Sequence, residues 1–213
     1  MLQSTFNMDS EKYLQDLKDI KSLMHKSSRF ISLSGLSGIL AGVYALVGSI
    51  LAYLLLQEQT VYLRSYSPEN ISLVYKLVGV ALGVAFFAIT TAVFLTIQKA
   101  KKNNEKIWDK TTQLLLIHFL IPLATGAIFG LILLKHEHFG IVAPISLIFY
   151  GLALVNASKF TLDTVKYLGI SEIIVGLIAA YFVGYGLYFW AFGFGILHIV
   201  YGGVMYLKER KEL

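Results

Sequence analysis

Five polar residues stand inside long apolar runs of this chain: Ser37, His118, Asn156, Glu172 and His198. Ionisable side chains are costly in hydrocarbon and rare there, so each is a candidate for chemistry. Two imidazoles and a carboxylate suit a divalent transition metal such as zinc or iron. His118 and His198 could instead be axial ligands to a haem, helped by nearby aromatics. Glu172 and the histidines could also titrate during proton-coupled transport of a small solute. A plainer role competes with all three, in which each residue gives one hydrogen bond to a neighbouring helix. The histidines fall in different runs and no HExxH spacing occurs, so no motif supports the metal.

What must position these residues follows from composition. The chain has 213 residues, 56% hydrophobic and only 15% charged, against about 25% charged in a soluble domain. With a mean hydropathy of +0.68, the expectation is a membrane-embedded protein. The absence of cysteine excludes a disulfide scaffold and a Cys-ligated metal domain. Apolar runs at 30–56, 73–97, 112–134, 141–158, 165–183 and 188–207 are each close to the roughly 20 residues that cross a bilayer. The predicted fold is all-α: a polytopic membrane protein with a six-helix transmembrane bundle over 30–207. A cytoplasmic amphipathic helix (1–29) precedes it and a short tail (208–213) follows. Pro144 falls near the start of the fourth run, where a first-turn proline costs no helix bond. Pro122 lies well inside the third, which predicts a kink.

Counting 1.5 Å per residue from the predicted cytoplasmic ends, Ser37, His118 and Glu172 lie about 10 Å deep and His198 about 14 Å. Asn156 is nearer the surface. Four runs would thus contribute polar groups to one layer.

Basic residues set the orientation. Lys12, Lys18, Lys21, Lys26 and Arg29 precede the first run, and Lys99, Lys101, Lys102, Lys106 and Lys110 join the second to the third. Lys159 and Lys166 join the fourth to the fifth, and Lys208, Arg210 and Lys211 follow the sixth. Only Arg64 and Lys135 occupy the opposite loops, with Lys76 just inside the second run. Both termini are therefore expected in the cytoplasm, in a bacterial inner membrane. The net charge of +5 reads as a topology signal and an anionic-lipid contact, and nucleic acid is not an expected partner.

The first 29 residues lack the apolar core of a signal peptide. Tyr13, Leu14, Leu17, Ile20 and Met24 recur at helical spacing after Asp9-Ser10, giving an amphipathic helix that could rest on lipid, pack under the bundle or hold a protein partner. Gly38-xxx-Gly42, Gly79-xxx-Gly83 and Gly126-xxx-Gly130 allow close helix approach, within the chain or across a homo-oligomer seam. Lys76-Leu-Val-Gly79 and Lys166-Tyr-Leu-Gly169 echo one another in opposite directions, as an inverted three-plus-three repeat would.

Gly35-Leu36-Ser37-Gly38 resembles the GxSG of rhomboid intramembrane proteases, with His198 as the second member of a dyad. In that family the serine lies in the fourth span and faces outward, so the segment reads as helix packing and no catalytic residue is assigned. His136-Glu137-His138 could catch a surface metal but reads as a solvated turn. The runs 28–38, 150–156 and 190–202 together resemble a group of six-span bacterial membrane proteins without assigned activity. That resemblance implies one integral domain and carries over no functional residue. The leading expectation is a non-enzymatic sensing, scaffolding or regulatory bundle acting through its N-terminal helix. The alternatives are a small-solute or proton-coupled transporter and a haem or metal protein.

Overall fold

A computed structural model describes residues 34–57, 68–104 and 107–211, which are helical throughout apart from short turns. The predicted helix over 1–29 lies outside the described residues. The elements are α1 (Gly35–Gln57), α2 (Pro68–Lys102), α3 (Lys110–Lys135), α4 (Phe139–Ala157), a 3₁₀ turn (Ser158–Phe160) and α5 (Asp163–Tyr181). The last helical stretch is built from α6 (Gly186–Trp190), a π-helical segment (Ala191–Leu197) and α7 (His198–Lys211). Among the described residues, six helices are long and apolar enough to cross a membrane, the sixth being Gly186–Lys211 taken whole. Their outer faces carry large apolar side chains: Phe86, Phe94, Leu131, Ile174 and Leu207 are all exposed.

Two groups of helices meet at the sixth. One is α1 with α2 and α7; the other is α3, α4 and α5, with α4 and α5 in the most extensive contact. The split runs across chain order rather than between the third and fourth helices, so it does not follow a three-plus-three repeat. α2 leans mainly on α1, and α3 mainly on α4.

Glycine sets the closeness within each group. A Cβ on Gly42 would stand 2.6 Å from the Gly195 carbonyl, and one on Gly202 2.6 Å from the Ile39 nitrogen. Gly151 and Gly169 face each other across α4 and α5, where a Cβ on either would come 2.6–2.7 Å from the other's carbonyl. Backbones this near gain dispersion contact that side chains would forbid. The second GxxxG behaves differently: Gly79 and Gly83 have nothing within 4 Å, and of the third only Gly126 is covered, by Phe149.

At one end of the molecule Glu209 clasps three helices. Its Oε1 accepts the Gly35 N–H at 2.8 Å, one of the donors a helix start leaves unpaired, and lies 3.0 Å from Lys99 Nζ. The start of α3 is capped locally, with Asp109 accepting from the Thr112 N–H at 2.7 Å. His136–His138 form an exposed turn whose Glu137 takes a left-handed φ of 64°.

One proline differs from expectation and the other lies where expected. Pro144 is inside α4, five residues after Phe139, so it removes a helix bond instead of occupying a free N-terminal position. Pro122 is inside α3, and its missing N–H leaves the His118 carbonyl without its ladder partner. Asn156 of α4 fills that vacancy, donating Nδ2–H to the His118 carbonyl at 3.0 Å. One side chain thus repairs a proline break in the neighbouring helix.

Candidate functional site

Glu172 is on the third turn of α5 and is completely buried. It faces the sixth helix where the regular ladder gives way to π-helix. A π-turn bonds i to i+5 and widens the helix, and such segments recur at functional sites. Gly193 lies in that segment against the carboxyl, and a Cβ there would stand 2.5 Å from Glu172 Oε2 and from Leu147 Cδ2. The carboxyl occupies the space that glycine leaves empty.

His198, the first residue of α7 and also buried, reaches back across the π-turn. Its Nδ1 lies 3.2 Å from the Gly193 carbonyl and 3.3 Å from Glu172 Oε1, while Nε2 is 2.8 Å from the Tyr150 hydroxyl of α4. With the ring neutral and its proton on Nδ1, that N–H donates to the Gly193 carbonyl and Nε2 accepts from Tyr150. Glu172 then sits beside the imidazole without a hydrogen bond to either oxygen. The 3.3 Å separation is proximity rather than a bond, because the N–H is aimed at Gly193. If the ring carries a second proton, Nε2–H donates to the Tyr150 oxygen and the imidazolium faces the carboxylate directly. Glu172, His198 and Tyr150 therefore form a triad from three helices.

An aromatic collar surrounds it. Phe194 lies 5.0 Å from Tyr150, 5.0 Å from Trp190 and 5.9 Å from the His198 ring between centroids, and Phe119 closes on Tyr150 from α3. One turn away a second polar bridge joins the same helices, with the Ser171 and Tyr201 hydroxyls 2.9 Å apart.

The other residues singled out from sequence have separate partners. Ser37 donates to the Ser34 carbonyl at 2.6 Å within its own chain segment. The Gly35-x-Ser37-Gly38 segment has its glycines on Gly202 and Tyr206, and His198 is engaged elsewhere, so these residues form no dyad. His118 shares Nδ1 with the Leu114 carbonyl at 2.8 Å, and its ring rests 4.8 Å from Phe160. It belongs with Asn156 at the α3–α4 contact. The two histidines and Glu172 are consequently not one ligand set, and no group of three metal-ligating side chains occurs among the described residues.

Sequence reasoning overlooked Tyr150, which is one of many aromatics, and Gly193. The signal for the latter was the alternation Phe192-Gly193-Phe194-Gly195 inside an apolar helix, where two glycines weaken the regular ladder. Comparison of the chain with protein-family models, with curated proteins and with solved structures yields no match, and the triad's chemistry rests on its own geometry.

Proposed function

We propose that the chain is an integral membrane protein, a six-helix bundle in a bacterial cytoplasmic membrane with both termini inside, that moves a small solute by coupling it to a proton on Glu172–His198. The observation that carries this is the fully buried Glu172, whose two oxygens find no hydrogen bond among the described residues while an imidazole stands 3.3 Å away. A buried carboxylate with only one imidazole beside it is costly, and an apolar residue of similar volume in such a place is often neutral or stabilising. A site that keeps the carboxyl at that cost is built to take up and release a proton. The triad joins the two helix groups, so the position of its proton biases how α4 and α5 sit on the sixth helix. A change in that seam would open the site to one side or the other. Sensing or scaffolding would act through residues 1–29, whereas the buried Glu172 beside His198 supports the transport reading.

The test uses the two tryptophans. Trp108 is exposed and Trp190 packs on the collar, so a Trp108→Phe chain in nanodiscs reports on the triad alone. Its emission should titrate with uptake of about one proton per chain, and Glu172→Gln should abolish both. An identical titration in Glu172→Gln overturns the proton site. In proteoliposomes holding a pH-sensitive dye, one class among amino acids, sugars and organic cations should drive proton movement that Glu172→Gln vesicles lack. Silence for every class overturns transport. The chain is free of cysteine, so a cysteine placed at Asn103 should be labelled from the inside and one at His136 from the outside.

A further inference from the structure

Cations gather where Glu209 joins α7 to α1 and α2. The last turn of α2 carries Lys99, Lys101 and Lys102, and that of α7 carries Lys208, Arg210 and Lys211. Both helices pack on α1, and the 3.0 Å contact between Lys99 and Glu209 holds their ends together. The Glu209 carboxylate is turned inward, shared between Lys99 and the Gly35 N–H. Lys101, Lys102, Lys208, Arg210 and Lys211 are exposed, and no carboxylate pairs with them among the described residues. The Arg210 guanidinium is steadied 5.4 Å above the Tyr206 ring. Two cationic helix ends thus form one patch around an acid that is already engaged.

The same helix faces are apolar a turn or two deeper. On α2 the exposed Phe94 precedes Lys101 and Lys102 by two helical turns and shares their face. On α7 the exposed Val204 and Leu207 stand one turn before Lys208 and Lys211. We infer that the joined ends of α2 and α7 bind an anionic phospholipid, with its phosphate among the five exposed cations and its acyl chains along Phe94, Val204 and Leu207. Arg210 offers a phosphate its planar fork, and the lysines add point charges. A soluble anion would use the cations and leave the apolar stripes unused. A zwitterionic lipid would cover the stripes but bring its own ammonium to the patch. An orientation signal needs positive charge anywhere at this end, whereas here the Lys99–Glu209 contact draws two clusters together. Lys159 and Lys166, also exposed, belong to the other helix group and make a natural control. The inference stands apart from the proton reading of Glu172.

The experiment is electron paramagnetic resonance of the full chain in phosphatidylcholine bilayers holding spin-labelled phosphatidylglycerol or spin-labelled phosphatidylcholine. The anionic label should be immobilised in excess over the zwitterionic one, and added salt should shrink the excess. Unlabelled phosphatidylglycerol should displace the label where phosphatidylcholine does not, a readout that needs no substitution. Lys101→Gln, Lys102→Gln, Lys208→Gln and Lys211→Gln together should lower the preference to that for phosphatidylcholine. The same four positions as arginine should retain it, and Lys159→Gln with Lys166→Gln should leave it intact. Equal immobilisation of the two labels overturns the inference. An equal loss in the Lys159 and Lys166 control also overturns it, making the attraction a diffuse field of the whole end. Displacement of the label by soluble glycerol phosphate overturns the lipid and makes the patch a site for free phosphate.

Discussion

The sixth helix has two seams of opposite character. Toward α1 it presents Gly195 and Gly202 to Gly42, Gly38 and Gly35, with the Glu209 carboxylate accepting the Gly35 N–H at the end of the seam. Toward α4 and α5 it presents His198 and Tyr201 to Tyr150, Glu172 and Ser171. Interlocked backbone has one arrangement, since sliding by a fraction of an ångström produces a clash. The second seam is held by hydrogen bonds of hydroxyls and an imidazole, with the carboxyl beside them. The first seam is close backbone packing, and the second is a polar contact.

This contrast can be attacked directly. The largest effect is expected at the glycine seam: Gly202→Leu should destabilise by about 3 kcal/mol or abolish folding, read as the midpoint of unfolding in mixed detergent micelles. A tolerated leucine there would dissolve the distinction. Gly193→Ala, which crowds Glu172 Oε2 and Leu147, should cost about 1–3 kcal/mol and also disturb the Trp190 titration. Combined with Glu172→Ala it should cost clearly less, because the cycle relieves half the crowding. Asn156→Leu should cost about 1–2 kcal/mol in the native background and little when Pro122 is replaced by Ala, whose N–H restores the ladder bond to His118. Ser171→Ala should cost about 0.6 kcal/mol, the usual size of such bonds between helices in lipid. Smallest of all, Gly79→Ala should be neutral or stabilise by up to about 1 kcal/mol, since its surroundings are open and alanine is the better helix former. A large loss at Gly79 would mean that α2 has a packing partner.

The helices were legible because apolar length is a property of composition, and all six runs coincide with helices to within a few residues. Glu172 and His198 stood out for the same reason, as ionisable groups in apolar surroundings. The helix on which each residue lies was legible too, but its facing was not. Ser37 and His118 share the predicted depth of Glu172, and Asn156 lies nearer the surface, yet all three have partners away from the triad, because which side of a helix meets which neighbour depends on the packing order of α1 against α7 and α3 against α4. The π-segment was signalled only by Gly193 and Gly195, because a weakened ladder does not say which bonding replaces it. GxxxG likewise marks permission for close approach. Only the fold decides which copies use it.

The clasp of Glu209 on Gly35 spans 174 residues of chain. Synthesis at 5–20 residues per second separates the emergence of its two ends by roughly 10 to 35 s. Throughout that interval the first helix is made but its glycine face has no mate, since that mate is the sixth helix. The bundle is therefore closed by its sixth helix, and a chain cut short before it leaves α1 without that partner.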